Sequence, residues 1–567
     1  MAVLLEVTGL CLALGGNSPK TLVNNISFTL GEGKVLGIVG ESGSGKSLTA
    51  LSITRLLPEN ITMASGKIVF YNLGEAVELS SPEIKDIRNY RGKSIAMIFQ
   101  EPMTSLNPSM RCGRQIEEAI LAHRKTKPAA LKEKVISLLH EVNLPRPEIL
   151  YDSYPHQLSG GQRQRLMIAM ALSADPSVLI ADEPTTALDV TVQKNIILLL
   201  QKLKESRGLS IIFISHDLRL IREIADDVLV MRKGEISEYA EAGKLFAEPS
   251  SAYTKGLIAC QPPLDHKPER LLTIRDFEMA KGELPREERK SNEIDYSQEP
   301  ILRIENLSVN YSVPGGLFSK RAGSFKAVDK VSLEIYPGET LGLVGESGCG
   351  KTTIGKTILK LIQANEGDIY FRGMRIGSLR SKALRTFRKS VQVVFQDPFS
   401  SLNPRQTIQS MLNEALEVHK PGLDLRGRRD RIAELLINVG LTEDDVYKYP
   451  HQFSGGQRQR ISIARSLAPE PEFLVLDESV SALDVSVQAQ VLNLLNDLKE
   501  KYGLSYLFIS HDLSVVKYMS DRIVVMHAGI IEESGDPEKI FHHPEKEYTR
   551  SLISAIPGYQ YSSASTS

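Results

Sequence analysis

Two tandem α/β domains are predicted from three observations. The apolar run Val35-Leu36-Gly37-Ile38-Val39 leads into Gly40-Glu41-Ser42-Gly43-Ser44-Gly45-Lys46-Ser47 and then a helical segment from Leu48 to Leu57. The same order recurs as Thr340-Leu341-Gly342-Leu343-Val344 followed by Gly345-Glu346-Ser347-Gly348-Cys349-Gly350-Lys351-Thr352 and Thr353. Later stretches repeat at nearly constant separation. By subtraction of residue numbers it is 305 from Lys46 to Lys351, 296 from Gln100 to Gln396, and 295 for Ser159 to Ser454, Asp182 to Asp477 and His216 to His511. At 567 residues the chain exceeds what one hydrophobic core usually covers. It divides as a first domain 1–261, a linker 262–299 and a second domain 300–567.

Each domain opens with short alternating apolar runs, Leu4 to Leu10 and Asn25 to Phe28 in the first, Leu302 to Val309 and Lys330 to Leu333 in the second. These read as antiparallel strands leading into the glycine-rich loop. A strand, such a loop and a helix opened by Lys-Ser or Lys-Thr form a phosphate-binding loop. Its backbone N–H groups converge on phosphate oxygens, Lys46 or Lys351 adds positive charge, and the Ser47 or Thr352 hydroxyl can ligate Mg²⁺. A nucleoside triphosphate is the ligand this predicts, with Leu48 and Thr353 continuing the loop into its helix.

Next come Ile98-Phe99-Gln100-Glu101-Pro102-Met103-Thr104-Ser105-Leu106-Asn107-Pro108 and Val394-Phe395-Gln396-Asp397-Pro398-Phe399-Ser400-Ser401-Leu402-Asn403-Pro404. Each places a glutamine amide at a strand's carboxyl end, where ligands sit in open α/β sheets, within reach of Mg²⁺ or an attacking water. The separations differ mainly before these glutamines, which places extra residues of the first copy near Asn72 to Lys85. Helical stretches, Gln115 to Leu144 and Thr407 to Val439, then lead to Tyr154-Pro155-His156-Gln157-Leu158-Ser159-Gly160-Gly161-Gln162 and Tyr449-Pro450-His451-Gln452-Phe453-Ser454-Gly455-Gly456-Gln457. Ser-Gly-Gly before an amphipathic helix makes a second helix N-terminus suited to an anion.

The apolar strands from Ser177 and Glu472 end in Asp182-Glu183 and Asp477-Glu478. The first acid of each pair can hold Mg²⁺, and the second can orient or deprotonate water. Turns at Ala187-Leu188-Asp189 and Ala482-Leu483-Asp484 follow. Strands from Ile211 and Tyr506 then end in Ser215-His216-Asp217 and Ser510-His511-Asp512, where a histidine can donate to a terminal phosphate.

Composition excludes several classes. Lys plus Arg (68) balances Asp plus Glu (69), so no excess charge points to nucleic acid or anionic lipid. No apolar run approaches the roughly 20 residues that span a bilayer, and Met1 to Glu6 lacks a signal peptide's basic start, so a cytoplasmic chain is expected. Cys11, Cys112, Cys260 and Cys349 lie 101, 148 and 89 residues apart by subtraction, which is not metal-ligand spacing. The 262–299 linker holds ten acids, seven bases and four prolines by count, and reads as solvated.

Together these motifs resemble ABC-type ATPases with two fused nucleotide-binding domains, a likeness covering all but the linker and the last few residues. It implies in each domain a RecA-like core, an antiparallel β layer and a helical signature subdomain, with ATP and Mg²⁺ as cofactors. Lys46, Ser47, Gln100 and Asp182, and Lys351, Thr352, Gln396 and Asp477, would bind nucleotide and metal. Glu183 and Glu478 would be general bases, with His216 and His511 beside the γ-phosphate. Head-to-tail pairing is also implied, Ser454 to Gln457 holding the nucleotide at Lys46 and Ser159 to Gln162 the one at Lys351. Two departures stand out. Ser479 replaces Pro184 after the second glutamate, leaving a looser turn, and Tyr311 can stack on adenine where the first copy has Leu12, Ala13 and Leu14.

Met103 to Pro108, Phe399 to Pro404, both Tyr-Pro-His-Gln runs and the tails Ala252-Tyr253-Thr254-Lys255-Gly256-Leu257 and Glu547-Tyr548-Thr549-Arg550-Ser551-Leu552 resemble bacterial dipeptide and oligopeptide importer ATPases more narrowly. That group's fused forms serve uptake of peptides, glutathione or peptide-like compounds. The resemblance implies two membrane permeases, indirect dependence on a periplasmic or extracellular substrate-binding protein, and a peripheral place on the cytoplasmic side of the bacterial inner membrane. Cys260 stands alone where some members carry a cysteine cluster, so no iron–sulfur cluster is expected. Two alternatives share the ATPase chemistry: a soluble twin protein acting on ribosomes or nucleic acid, and an exporter ATPase. The near-neutral chain and acidic linker count against the first.

Overall fold

Five-residue apolar runs become fully buried central strands. In the computed structural model every residue of Val35–Val39, Val178–Asp182 and Ser210–Ile214 is buried, as is every residue of Thr340–Val344, Phe473–Asp477 and Ser505–Ile509. Continuous Val/Ile/Leu runs of this kind suit parallel strands covered on both faces. The structure describes residues 2–16, 20–72, 75–81, 83–84, 86–100, 105–186, 188–279, 294–313, 323–397, 401–420 and 422–559.

Two units result, one of residues 1–188, 192–258 and 274–280, the other of 189–191, 259–273 and 281–567. In the first, a six-stranded sheet runs in the order Glu235–Glu241, Asp227–Arg232, Val35–Val39, Ser210–Ile214, Val178–Asp182, Ile95–Ile98. All its pairings are parallel except the first. The strand before the phosphate-binding loop is therefore central, with the acid-ending and histidine-ending strands following on one side. A four-stranded antiparallel sheet, Lys20–Gly31, Val3–Leu14, Ile61–Asn72 and Glu75–Glu78, shares one apolar core with it through Leu5, Ile26, Ile38 and Ile180. The second unit repeats both sheets, its six strands running Val391–Val394, Phe473–Asp477, Ser505–Ile509, Thr340–Val344, Arg522–His527, Ile530–Gly535.

The helical stretches carry one break. Cys112–Leu121 and Pro128–Glu141 are separate helices, because Pro128 starts a helix well and cannot continue one. Their counterparts are Ile408–His419 and Leu425–Asn438. Register equates Phe70 with Phe371, so by subtraction four of the nine extra residues precede Phe70 and lengthen Ile61–Asn72 over the six-residue Glu366–Phe371, and only five follow it, towards the expected Asn72 to Lys85. The second copy instead builds a full helix, Ser381–Ser390, where the first has only the single turn Ile87–Asn89.

The described part of the 262–299 stretch is not simply solvated. Residues 259–273 belong to the second unit, where Leu271 is 2% exposed and its N–H and C=O bond the Asn493 amide at 3.0 and 2.8 Å. Arg270 pairs there with Asp497 at 2.9 Å, and Lys517 Nζ donates to the Leu264 carbonyl at 2.7 Å. Within the first unit, Ile274–Met279 forms a short helix against Gly256, and Glu278 pairs with Arg232. Residues 280–293 lie outside the described ones.

Candidate active sites

Each phosphate-binding loop begins at a glycine that no other residue could replace without rearrangement. Gly40 has φ 150°, and a Cβ there would lie 2.2 Å from the Met231 carbonyl oxygen; Gly345, at φ 146°, would meet Met526 O at 2.1 Å. The loop folds around its lysine. Lys46 is 5% exposed and Nζ donates to Gly40 O at 2.7 Å and Glu41 O at 2.9 Å. Lys351, equally buried, donates to Gly345 O at 2.6 Å and Glu346 O at 2.9 Å.

The next residue faces the acid-ending strand. Ser47 Oγ donates to Asp182 Oδ1 at 3.1 Å, and Thr352 Oγ1 to Asp477 Oδ1 at 3.0 Å. Burial pushes the Asp182 carboxyl up to about 6 despite the Ser47 hydrogen bond, and raises Asp477 in the same way. A buried carboxylate whose charge is disfavoured, beside a hydroxyl, is an all-oxygen donor set that a divalent cation would both neutralise and fit, so Mg²⁺ is chemically suited to it.

The adjoining glutamates sit differently. Glu183 and Glu478 both have φ 47°, a left-handed backbone rare for a residue with a side chain, fixed by N–H bonds to Ile214 O at 3.0 Å and Ile509 O at 2.9 Å. The turn aims each carboxylate at the neighbouring strand ends. Glu183 Oε2 accepts from Gln100 Nε2 at 2.9 Å and Thr186 Oγ1 at 2.8 Å, with His216 Nδ1 at 3.3 Å. Burial opposes the charge, but His216, Thr186 and Lys46 outweigh it and hold Glu183 at about 2. Glu478 Oε2 accepts from Gln396 Nε2 at 2.6 Å, with His511 Nδ1 at 3.5 Å; burial raises its carboxyl, and His511, Lys351 and Gln396 bring it below the usual range. In return Glu478 raises His511 against the pull of burial. Each unit thus gathers lysine, hydroxyl, two acids, amide and imidazole at the carboxyl ends of its central strands.

The looser turn expected after Glu478 is not found. With Ser479 in the place of Pro184, Glu478 keeps the φ of Glu183 and the same N–H bond to the neighbouring strand, and Ser481 N–H closes the turn on Glu478 O at 3.2 Å as Thr186 N–H does on Glu183 O at 3.3 Å. The copies differ in the hydroxyl three residues on: Thr186 donates to the glutamate side chain, whereas Ser481 donates to the Glu478 carbonyl at 2.9 Å. Thr186 was not singled out by the sequence, since its role depends on the turn's curvature.

The signature residues form helix caps. Ser159 Oγ accepts from Gln162 N at 3.3 Å while Gln162 Oε1 accepts from Ser159 N at 3.0 Å, and Ser454 with Gln457 repeats this at 3.4 and 3.0 Å. Gly160 and Gly161, like Gly455 and Gly456, contribute first-turn N–H groups, which have no intrahelical acceptors. Of the importer-like segments, Met103, Thr104, Phe399 and Ser400 lie outside the described residues.

Tyr311 is 40% exposed, with its hydroxyl 3.4 Å from Thr353 Oγ1 beside the second loop. Its cross-strand partner is Phe325, 54% exposed, an aromatic that alternation alone could not associate with the loop. By strand register the first copy has Leu14 opposite Lys20 here, since Leu5 pairs with Phe70 as Leu302 pairs with Phe371. One base–aromatic stack contributes about 1 kcal/mol or more. The Lys46→Ala variant, which retains the Lys351 site, is therefore expected to bind ATP about fivefold or more tightly than Lys351→Ala. Equal dissociation constants by equilibrium titration would contradict this asymmetry.

Fold and sites together define a tandem ATP-binding cassette ATPase. Residues 23–186 and 328–481 match the family described as ABC transporter, and residues 237–288 match that described as "Oligopeptide/dipeptide transporter, C-terminal region". Curated relatives named "Glutathione import ATP-binding protein GsiA" from Shigella boydii serotype 4 and Escherichia coli K12 are each 45% identical over 544 residues, 94% of this chain and 86% of theirs. The same-named protein of Pectobacterium atrosepticum is 44% identical over 539 residues, with the same shares covered. The chain belongs to the ABC transporter ATPases, within the dipeptide, oligopeptide and glutathione importer group. Membership implies ATP binding with Mg²⁺ and association with membrane permeases and a substrate-binding protein. Among the described residues no helix is long and apolar enough to cross a membrane.

Proposed function

We propose that this chain hydrolyses ATP at both sites to drive uptake of glutathione or short peptides through two permeases, from the cytoplasmic side of the bacterial inner membrane. The duplicated Glu–Gln–His constellation carries the reading, because two complete copies of the hydrolytic groups favour two working sites. The GsiA relatives and the oligopeptide-type region support the cargo class.

In this reading Lys46 and Lys351 leave their loop carbonyls for the β- and γ-phosphates. Ser47, Gln100 and Asp182 would hold Mg²⁺ in one copy, and Thr352, Gln396 and Asp477 in the other, where the ion would supply positive charge to the phosphates. Glu183 and Glu478, ionised and already accepting hydrogen bonds, receive the proton of the attacking water, while His216 and His511 donate towards the γ-phosphate. By family resemblance each Ser-Gly-Gly-Gln helix serves the nucleotide of the other copy, so that ATP joins the two and hydrolysis releases them. No iron–sulfur cluster belongs to this reading, since such clusters take four ligands and Cys260 stands 89 residues by subtraction from the nearest other cysteine. Nor does nucleic acid, given the balanced charge.

Fractionation of host cells with a high-salt membrane wash tests the placement, comparing the parent strain with one lacking the candidate permeases. Salt-resistant association that disappears without the permeases is expected. A protein that stays soluble, or sediments with ribosomes, in both strains would contradict the importer reading.

A further inference from the structure

The first turn of each phosphate-binding loop is held from the far end of its own cassette. Glu41 N–H donates to the Tyr253 hydroxyl at 3.3 Å across 212 residues of sequence, and Glu346 N–H to the Tyr548 hydroxyl at 3.3 Å across 202. Both tyrosines lie in the first turn of a tail helix, Ala252–Ala259 and Glu547–Ser554, and Tyr253 falls within the oligopeptide-type match. Their rings are supported by the strand that abuts the loop glycine: Arg232 lies 4.7 Å over Tyr253, and His527 stacks on Tyr548 with centroids 4.0 Å apart. Burial raises both phenols above their ordinary value, so each remains a neutral hydroxyl.

The same residue is tied again through its carbonyl. Glu41 O accepts from Ser44 N at 3.1 Å and from Lys46 Nζ at 2.9 Å; Glu346 O accepts from Cys349 N at 3.2 Å and Lys351 Nζ at 2.9 Å. Two of the ammonium's three donors are on loop carbonyls, so it can reach β- and γ-phosphate oxygens together only by releasing at least one of them. The loop turn then loses one of its ties at the moment of binding, and the tyrosine tie remains.

We propose that Tyr253 and Tyr548 are positioning residues for nucleotide binding: each hydroxyl holds its loop's first turn while the lysine exchanges carbonyls for phosphates, linking ATP affinity to the cassette's tail. This rests on the ATP-site reading above. The two copies reach the same arrangement with different supporting rings and side chains, which sets the hydroxyl-to-amide bond apart as the shared feature.

The test uses the full chain with Tyr253→Phe or Tyr548→Phe, which keep the ring and remove the acceptor. ATP dissociation constants are measured for the Lys46 site in a Lys351→Ala background and for the Lys351 site in a Lys46→Ala background, with thermal unfolding to establish folding. Tyr253→Phe is expected to weaken the Lys46 site about 3- to 10-fold and leave the other within about twofold, with the converse for Tyr548→Phe. In the otherwise unmodified chain the effect falls on KM rather than kcat. A purely structural tyrosine would lower the unfolding temperature without selecting one site. Folded variants whose affinities stay within about twofold at both sites, or fall equally at both, would overturn the proposal. Undiminished affinity in the folded Lys46→Ala, Lys351→Ala double variant would instead remove the ATP-site reading itself.

Discussion

The Glu183→Gln, Glu478→Gln double variant will bind ATP and hydrolyse it on the order of 10²-fold or more slowly than the parent. Glutamine fills the same volume and keeps an oxygen for the Gln100 and Gln396 amides, so the surroundings of the nucleotide change little. What it cannot do is accept a proton from water. Both carboxyls lie below their ordinary range in the structure, and Glu183 at about 2, so the group present at neutral pH is the carboxylate that the step requires. The left-handed backbone at both positions directs that carboxylate towards the amide and imidazole instead of along its strand. Steady-state turnover at saturating ATP, with nucleotide binding measured in parallel, checks the expectation. Turnover within about threefold of the parent would remove the proposed base.

Replacing both lysines, Lys46→Ala with Lys351→Ala, will weaken ATP binding by about 10²-fold, since a charge-assisted hydrogen bond to phosphate is lost at each site. Both lysine residues are only 5% exposed, and their ammonium groups are bonded to their own loop carbonyls. Their side chains are thus already confined before nucleotide arrives, and little further freedom is lost on binding. Equilibrium titration with ATP measures the effect. Undiminished affinity in the folded double variant would show that the loops do not carry the nucleotide.

The sequence made the central strands, loops and strand-end acids legible because each is written in consecutive residues. Val35 to Val39 is apolar throughout and is buried throughout, and Asp182-Glu183 follows its strand directly. Duplication then distinguished signal from chance. What stayed hidden depends on partners distant in sequence. The Tyr253 hydroxyl meets Glu41 over 212 residues, Phe325 comes beside Tyr311 only through strand register, and Leu271 is covered because Asn493 bonds its peptide. Pro184 illustrates the reverse error: it looks decisive locally, yet the second copy makes the same turn with Ser479 there, the Glu478 N–H bonded to the next strand as Glu183 N–H is.

Uptake of labelled glutathione and of a labelled dipeptide, in cells whose only copy of this chain carries both Glu→Gln substitutions, tests the central claim most directly. Cells with the parent chain should accumulate at least one of the two labels. Cells with the double variant should accumulate neither, although the protein remains at the membrane in equal amount. Uptake of both labels at the parental rate by the double variant would contradict ATP hydrolysis at these sites as the energy source of the importer.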